Sequence, residues 1–386
     1  MLHPPIVGER AFIWSLRKQL AHSAGSDRPR PHGSRVFAVR TSSHVALGIG
    51  DDCAILRPPS GHEVLVTTDF TLETVHFRRE WHTPESVGHR CLARGLSDLA
   101  AMGAKPLAAF LSLAFPVELV RSCAGRPSWR DRFLGGFLSL ADKYKVPLAG
   151  GDTAQSPLIA GAVPPRNRQH PRQMVTGLAL MDIVLVGTAP RNRSLRRSTA
   201  KAGDRIYVSG SLGGAAAELA QLTAHPGRFR LAKSSAEPSL PNPHPHLFPE
   251  PRLAVGAWLL KNRRASSAID ISDGLSTDLA HLCEESRLAA TVNAAAIPIH
   301  PIAQREAGST ADMALQFALH GGEDYELLFT ASPKMHVPRR IAGVPVTCIG
   351  EMSVRKSRTP RIQLIEVVDG REHVRPLPPG GWEHFV

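Results

Sequence analysis

The 386-residue chain has no run of eighteen apolar residues, so no membrane span is expected. Its opening, MLHPPIVGER, lacks a basic segment followed by an apolar one, which argues against secretion. Cys-x-x-Cys pairs are also absent. The five cysteines, at 53, 91, 123, 283 and 348, are scattered and odd in number. That usage suits free thiols in a reducing cytoplasm better than a disulfide frame or a zinc site. The basic excess, formally +12, concentrates in RPRPHGSR (28–35), RNRQHPR (166–172) and RNRSLRR (191–197), none of which holds an aromatic residue. Without stacking side chains or a known module, these runs read as solvated loops, and nucleic acid is not an expected partner. The charge can still draw anionic small molecules toward the protein.

What is present is an ordinary globular composition over a length that suggests two domains or more. Short β-branched segments at 45–49 and 64–68 read as strands. Thr83-Pro84-Glu85 predicts a helix start, and the helix runs to about Gly103. Val87, Cys91, Gly95, Asp98 and Met102 share one face of it, so Asp98 points with the apolar stripe. A strand is expected over 107–114. Ser128 is expected to cap a second helix with Phe133, Phe137, Leu140 and Tyr144 inward. Pro147–Gly150 reads as a strand leading into Gly151-Asp152, and 175–183 as another. Residues 155–172 read as a surface insertion, 191–203 as an interdomain linker, and the Pro-rich 238–251 as mobile. In the second half, helices near 213–223, 252–262, 275–286 and 311–319 alternate with strands near 205–209, 267–271, 325–330, 345–349 and 362–368.

Acids interrupt these apolar segments repeatedly: GIGDDC (48–53), VTTD (66–69), LSDL (96–99), AGGDT (149–153) and AIDISDGLSTDL (268–279). A buried carboxylate is costly without a compensating cation or donor. Five such sites suggest a shared hard cation. Magnesium prefers oxygen ligands and is usually held by a few carboxylates together with substrate phosphates. Clustered His and Cys, which zinc would need, are missing, as are the Gly-x-x-x-x-Gly-Lys-Ser/Thr loop and the His-Arg-Asp and Asp-Phe-Gly kinase motifs. Ser209–Gly214 either binds an anion at a helix start or forms a tight turn.

Six ordered stretches, GIGDDCAIL, TTD…VHF, LSDLAAMGA, GGDT, AIDISDGL and GGEDYELLFT, together resemble the thiamine-monophosphate kinase family. That family lies within the aminoimidazole ribonucleotide synthetase-like superfamily, and the similarity extends from about residue 9 to the C-terminal GGWEHF. The resemblance implies an α+β fold of two domains, each a mixed sheet packed with helices. Residues 1–185 would bind ATP and metal and form a homodimer through their sheets, and 186–386 would complete the active site between the domains. It implies ATP-dependent phosphorylation of thiamine monophosphate to thiamine diphosphate, with several Mg2+ ions. Carried over by motif, Asp52, Thr67, Thr68, Asp69, Asp98, Asp152, Asp270 and Asp273 would hold metal. Gly151, Arg197 and Ser272 would contact ATP, and His76, Glu323 and Trp382 the thiamine phosphate. No general base is expected, because a phosphate monoester is already ionised near neutral pH.

Ordinary structural roles stay open beside these. Asp51 reads as a turn residue, Asp98 could be satisfied by neighbouring backbone, and His76 could be a strand-end residue. Glu323 and Asp324 could cap a strand end, Trp382 could be packing, and Arg193 or Arg196 could replace Arg197. Asp278 reads as a surface acid favoured by the helix dipole. The sequence departs from the family pattern at Thr74, where a glycine is usual, and at Ala154-Gln155. Within the superfamily, a selenophosphate synthetase would be expected to carry a reactive Cys before Cys53, and none occurs.

Overall fold

The structure is a computed structural model that describes residues 13, 16, 44–122, 125–157, 177–224, 243–308, 310–357 and 359–385. The insertion at 22–35, and that at 155–172 beyond Pro157, lie outside the described residues. By compactness the chain divides into two units. The first comprises Met1–Ser60, Val66–Gly95 and Pro106–Gly187. The second comprises Gly61–Leu65, Leu96–Lys105 and Thr188–Val386.

The first half of the chain opens with a small antiparallel pair, β1 (Val45–Leu47) and β2 (Ile55–Leu56). Then follow β3 (His62–Leu72), α1 (Pro84–Ala101), β4 (Lys105–Phe115), α2 (Val117–Val120), α3 (Trp129–Tyr144), β5 (Leu148–Gln155) and β6 (Leu180–Pro190). The sheet order is β3-β6-β4-β5, with β4 and β5 parallel. Helix α1 starts as predicted, with the Thr83 hydroxyl accepting the Ser86 N–H at 3.2 Å. Its stripe Val87, Cys91 and Gly95 is buried, and Asp98 on the same stripe is half-buried. The start of α3 is a reciprocal cap: Ser128 Oγ accepts the Asp131 N–H and the Asp131 carboxylate accepts the Ser128 N–H. Phe133, Phe137 and Leu140 are buried as expected. Phe115, Trp129 and Phe133 pack ring to ring beside them.

The second half contains β7 (Arg205–Ser209), α4 (Gly214–Ala224), α5 (Leu253–Asn262), β8 (Ser267–Ile271), α6 (Leu275–Glu285), β9 (Leu288–Asn293), α7 (Pro301–Ala307) and α8 (Ala311–His320). Strands β10 (Glu326–Ala331), β11 (Arg340–Ile341), β12 (Val344–Val354), β13 (Ile362–Val368) and β14 (Arg371–Pro376) complete it. The sheet order is β14-β13-β9-β12-β7-β10-β8, with β11 paired to β12. Only the β13/β9 pairing is parallel among those recorded for this sheet. Its core runs through Ile206, Val208, Ile269, Ile271, Leu279, Leu282 and Leu328.

Several expectations need correction. Strand β3 extends four residues beyond its predicted end, and β6 starts at Leu180 and runs on to Pro190. The segment expected as a linker, 191–203, is docked: Leu195 is buried and its N–H donates to the Met102 carbonyl at 3.1 Å. The Pro-rich stretch expected to be mobile is packed from Pro243 onward, with His246 and Leu247 buried. Sequence reading also missed β9, α7 and β14. The reason is composition: Ala289 and Ala290 blur the alternation of β9, α7 has only 7 residues, and β14 is a largely exposed edge rich in charge.

Candidate active site

In the first unit, a cavity of about 820 Å³ is lined by Asp51, Asp52, Phe110, Leu134, Gly151 and Asp152, among others. That size suits a small-molecule ligand. The turn Gly48–Cys53 is exposed at both its acids, and Asp51 Oδ1 accepts the Asp52 N–H at 2.9 Å. Across the cavity, Gly151 has φ +147°, and a Cβ there would sit 1.9 Å from the Leu111 carbonyl oxygen. Only glycine fits, and this holds Asp152 at the exposed end of the parallel β4/β5 pair.

Strand β3 separates the three residues of its motif. Thr67 lies on the side facing α1, since its Cγ2 approaches Gly95, and Asp69 lies 3.5 Å from Arg94 of that helix. Thr68 points to the opposite face, where its hydroxyl donates to Asp182 Oδ1 at 2.9 Å. The hydroxyl of Thr67, and not that of Thr68, therefore shares a side with Asp69. His76 is fixed in the following turn: its Nδ1 accepts the Leu72 N–H at 3.0 Å, and its carbonyl accepts from buried Arg90 at 3.1 Å. An accepting Nδ1 puts the proton of the neutral ring on Nε2, the nitrogen suited to donate to a phosphate. Thr74, standing where the family usually has glycine, adopts φ +74°. A β-branched residue is strained there, yet the Thr74 N–H still reaches the Phe77 carbonyl at 2.8 Å and closes the turn.

In the second unit, Asp270 sits 3% exposed in β8 and its Oδ2 accepts the hydroxyl of buried Ser97 at 2.7 Å. Asp98 is the next residue on α1 and is half-buried. The turn after β8 brings together four more expected residues, Ser272, Asp273, Glu323 and Trp382. The Ser272 carbonyl accepts the Glu323 N–H at 2.8 Å, and the Asp273 carbonyl accepts the Trp382 N–H at 3.1 Å. A Cβ on Gly381 would lie 1.9 Å from the Asp273 oxygen, so only glycine permits this approach of the C-terminal segment. The Trp382 residue is 54% exposed. Arg197 lies at the other end of β8: the Ala268 N–H donates to the Arg196 carbonyl, and Arg197 itself is exposed on a 3-10 turn, Arg197–Thr199. Ser272 and Arg197 are thus about 13 Å apart along the strand by its rise per residue.

Two acids were misjudged from sequence. Asp278 is not a surface acid; it is 2% exposed. Its Oδ2 accepts the N–H groups of Ser272, Asp273 and Gly274, each at 3.0 Å, and so shapes the turn that carries the expected ligands. Burial, followed by the charges of Asp270 and Asp273, pushes its carboxyl well above the ordinary range. Asp324 does not cap its own strand. It accepts the N–H of Gly213 at 2.6 Å and of Ala215 at 3.1 Å, at the start of α4. Burial raises its pKa to about 7. The Ser209–Gly214 segment is therefore a tight turn whose helix N-terminus already holds an internal carboxylate. The basic stretch 191–197 is largely exposed, as a solvated turn should be.

Among the described residues no three His, Cys, Asp or Glu side chains converge as a ready-made metal site. Among them, too, no helix is long and apolar enough to cross a membrane.

Residues 50–190 match the family described as AIR synthase related protein, N-terminal domain. A thiamine-monophosphate kinase of Escherichia coli (strain K12) is 36% identical over 313 residues, covering 80% of this chain and 85% of that protein. This chain belongs to the thiamine-monophosphate kinase family. The crystal structure of thiamine-monophosphate kinase from Stenotrophomonas maltophilia superposes with a TM-score of 0.66 at 32% identity, covering 86% of this chain and 93% of that one. AaThiL complexed with AMPPCP and TMP superposes with a TM-score of 0.63 at 25% identity, covering 100% and 99%. The two-domain fold with mixed sheets, implied by the motif resemblance, is thereby established for this member of the family.

Proposed function

We propose that this chain transfers the γ-phosphate of ATP to thiamine monophosphate, forming thiamine diphosphate and ADP. The observation that carries this reading is the 36% identity to a thiamine-monophosphate kinase over most of both chains. The related complex with AMPPCP, an ATP analogue, and TMP agrees with both substrates.

The chemistry asks for positioning rather than proton transfer. The acceptor phosphate is a nucleophile as it stands, since its second pKa is roughly 6. The obstacle is the approach of two polyanions in line. Gly151 would let a triphosphate come close to the backbone at the edge of the 820 Å³ cavity; in the second unit Ser272 and Arg197, carried over by motif, are the candidate ATP contacts. His76 Nε2, the Glu323 carboxylate and the exposed Trp382 indole would hold the thiamine phosphate through its phosphate, its amino-heterocycle and its cationic ring.

Magnesium fits the donor set. All the donors are oxygens; burial first, and then the charges of Asp270 and Asp273, push the Asp278 carboxyl up, and a hard cation at those two acids would offset the smaller, charge part. Asp52, Thr67, Asp69 and Asp152 of the first unit, and Asp98, Asp270 and Asp273 of the second, are the residues that would hold it. The Thr68 hydroxyl is engaged by Asp182. When bound, magnesium neutralises phosphate charge and orients both substrates. Sets of one or two carboxylates suffice where substrate phosphates complete the shell.

Residues 1–185 would serve as the ATP-, metal-binding and dimerisation domain and 186–386 as its complement. A homodimer through the first sheet is supported by Val64, Val66 and Phe70, all at least half exposed on one face of β3. The scattered thiols suit a cytoplasmic setting. A coupled ADP assay offering thiamine monophosphate, thiamine and aminoimidazole precursors separately tests the substrate assignment. Turnover with thiamine monophosphate alone is expected; turnover with an aminoimidazole precursor instead would overturn it.

A further inference from the structure

The Pro-rich segment before α5 is anchored by a buried acid. Glu218 of α4 is 4% exposed. Its Oε2 accepts the N–H groups of His246 at 2.7 Å and Leu247 at 3.3 Å, while its Oε1 meets His244 Nδ1 at 2.8 Å. Those bonds fix the backbone at His246. The His246 ring is 2% exposed, and its Nδ1 lies 3.2 Å from Glu323 Oε2. Glu323 itself has φ +66° and is only 22% exposed at its side chain, so one oxygen is held by the ring while the group keeps access to solvent.

A glutamate side chain with three rotatable bonds loses entropy when it must adopt one pose to receive a ligand. A buried donor that already holds one carboxylate oxygen removes much of that cost before the ligand arrives. We propose that His246 is a positioning residue for the organic substrate, holding the Glu323 carboxylate toward the amine-bearing heterocycle of thiamine monophosphate. This rests on the reading of Glu323 as a contact for that substrate. His246 does not itself touch the substrate; it acts through Glu323, and the Glu218 anchor is what gives it a fixed place from which to act.

The experiment compares His246→Leu, His246→Gln and His246→Asn with Glu323→Gln in the full-length chain, varying thiamine monophosphate and ATP in turn. The amide nitrogen of Asn stands near the place of Nδ1, and that of Gln does not. His246→Leu and His246→Gln should each raise KM for thiamine monophosphate about tenfold, the order expected from losing one charge-assisted hydrogen bond. KM for ATP should stay within twofold, and His246→Asn should restore most of the affinity. In the Glu323→Gln background, His246→Leu should add little. If Glu323→Gln raises KM and neither His246→Leu nor His246→Gln does, His246 does not position it and the inference fails. Equal rises for both substrates, or full additivity with Glu323→Gln, would also overturn it. An unchanged KM in Glu323→Gln removes the substrate role of Glu323 itself, and this inference with it. Should His246→Leu not fold, the contrast between Gln and Asn decides the question alone.

Discussion

Replacing Asp324 by Asn should flatten the dependence of stability on pH. Burial raises the folded pKa of this carboxyl from 3.8 to about 7, against the lowering effect of the Gly213 and Ala215 N–H groups. Between those values the folded chain keeps a proton that the unfolded chain has released. Stability from this group is therefore fully present below the unfolded pKa and is lost as pH rises through about 7. The full span corresponds to roughly 4 kcal/mol, an upper figure, because each tenfold change in proton affinity is worth about 1.4 kcal/mol. Gly213 and Ala215 donate to different oxygens of Asp324, so an Asn at this position keeps an acceptor for only one of these N–H groups, a cost that does not vary with pH, and it cannot ionise. Urea unfolding of both proteins at steps from pH 5 to 8 supplies the test. The difference in unfolding free energy should move in favour of Asp324→Asn by a few kcal/mol as pH rises. Titrating groups that do not act on Asp324 cancel in that difference; Glu326, whose charge acts on it, does so only in part. Parallel curves for the two proteins would refute the argument.

Two further outcomes are expected at the site. Trp382→Ala should weaken thiamine monophosphate binding about tenfold, as from losing about 1.4 kcal/mol of cation–π contact, with KM for ATP nearly unchanged. Steady-state kinetics with each substrate varied decide this, and equal weakening of both would assign the indole to the fold. Asp98→Asn should lower turnover by orders of magnitude while the thermal midpoint stays within a few degrees. Near-normal turnover at saturating magnesium would remove Asp98 from the metal set.

Much of this arrangement was legible where the physics is local. Helical spacing placed Asp98 on the inner stripe of α1, and the Ser128 cap was evident from the residues that follow it. The separation of Thr67 from Thr68 was also within reach, since a strand sends alternate side chains to opposite faces. What escaped was contact between distant segments. Asp324 reaches the start of α4 across 111 residues of sequence, and no periodicity announces such a cap. Glu218 lends order to the Pro-rich 243–251 from a separate helix, so composition alone misread that segment. Asp278 is close in sequence to its donors, but its burial depends on the turn that it shapes, and spacing four to six residues apart reads equally as an exposed face.

Direct movement of the γ-phosphate of ATP onto thiamine monophosphate is open to a single measurement. Incubation of the full-length protein with magnesium, thiamine monophosphate and γ-labelled ATP, followed by separation of the products, follows that transfer. Label is expected in the terminal phosphate of thiamine diphosphate, one mole for each mole of ADP. ADP formed with the label only in inorganic phosphate, or with no thiamine diphosphate, would contradict direct transfer.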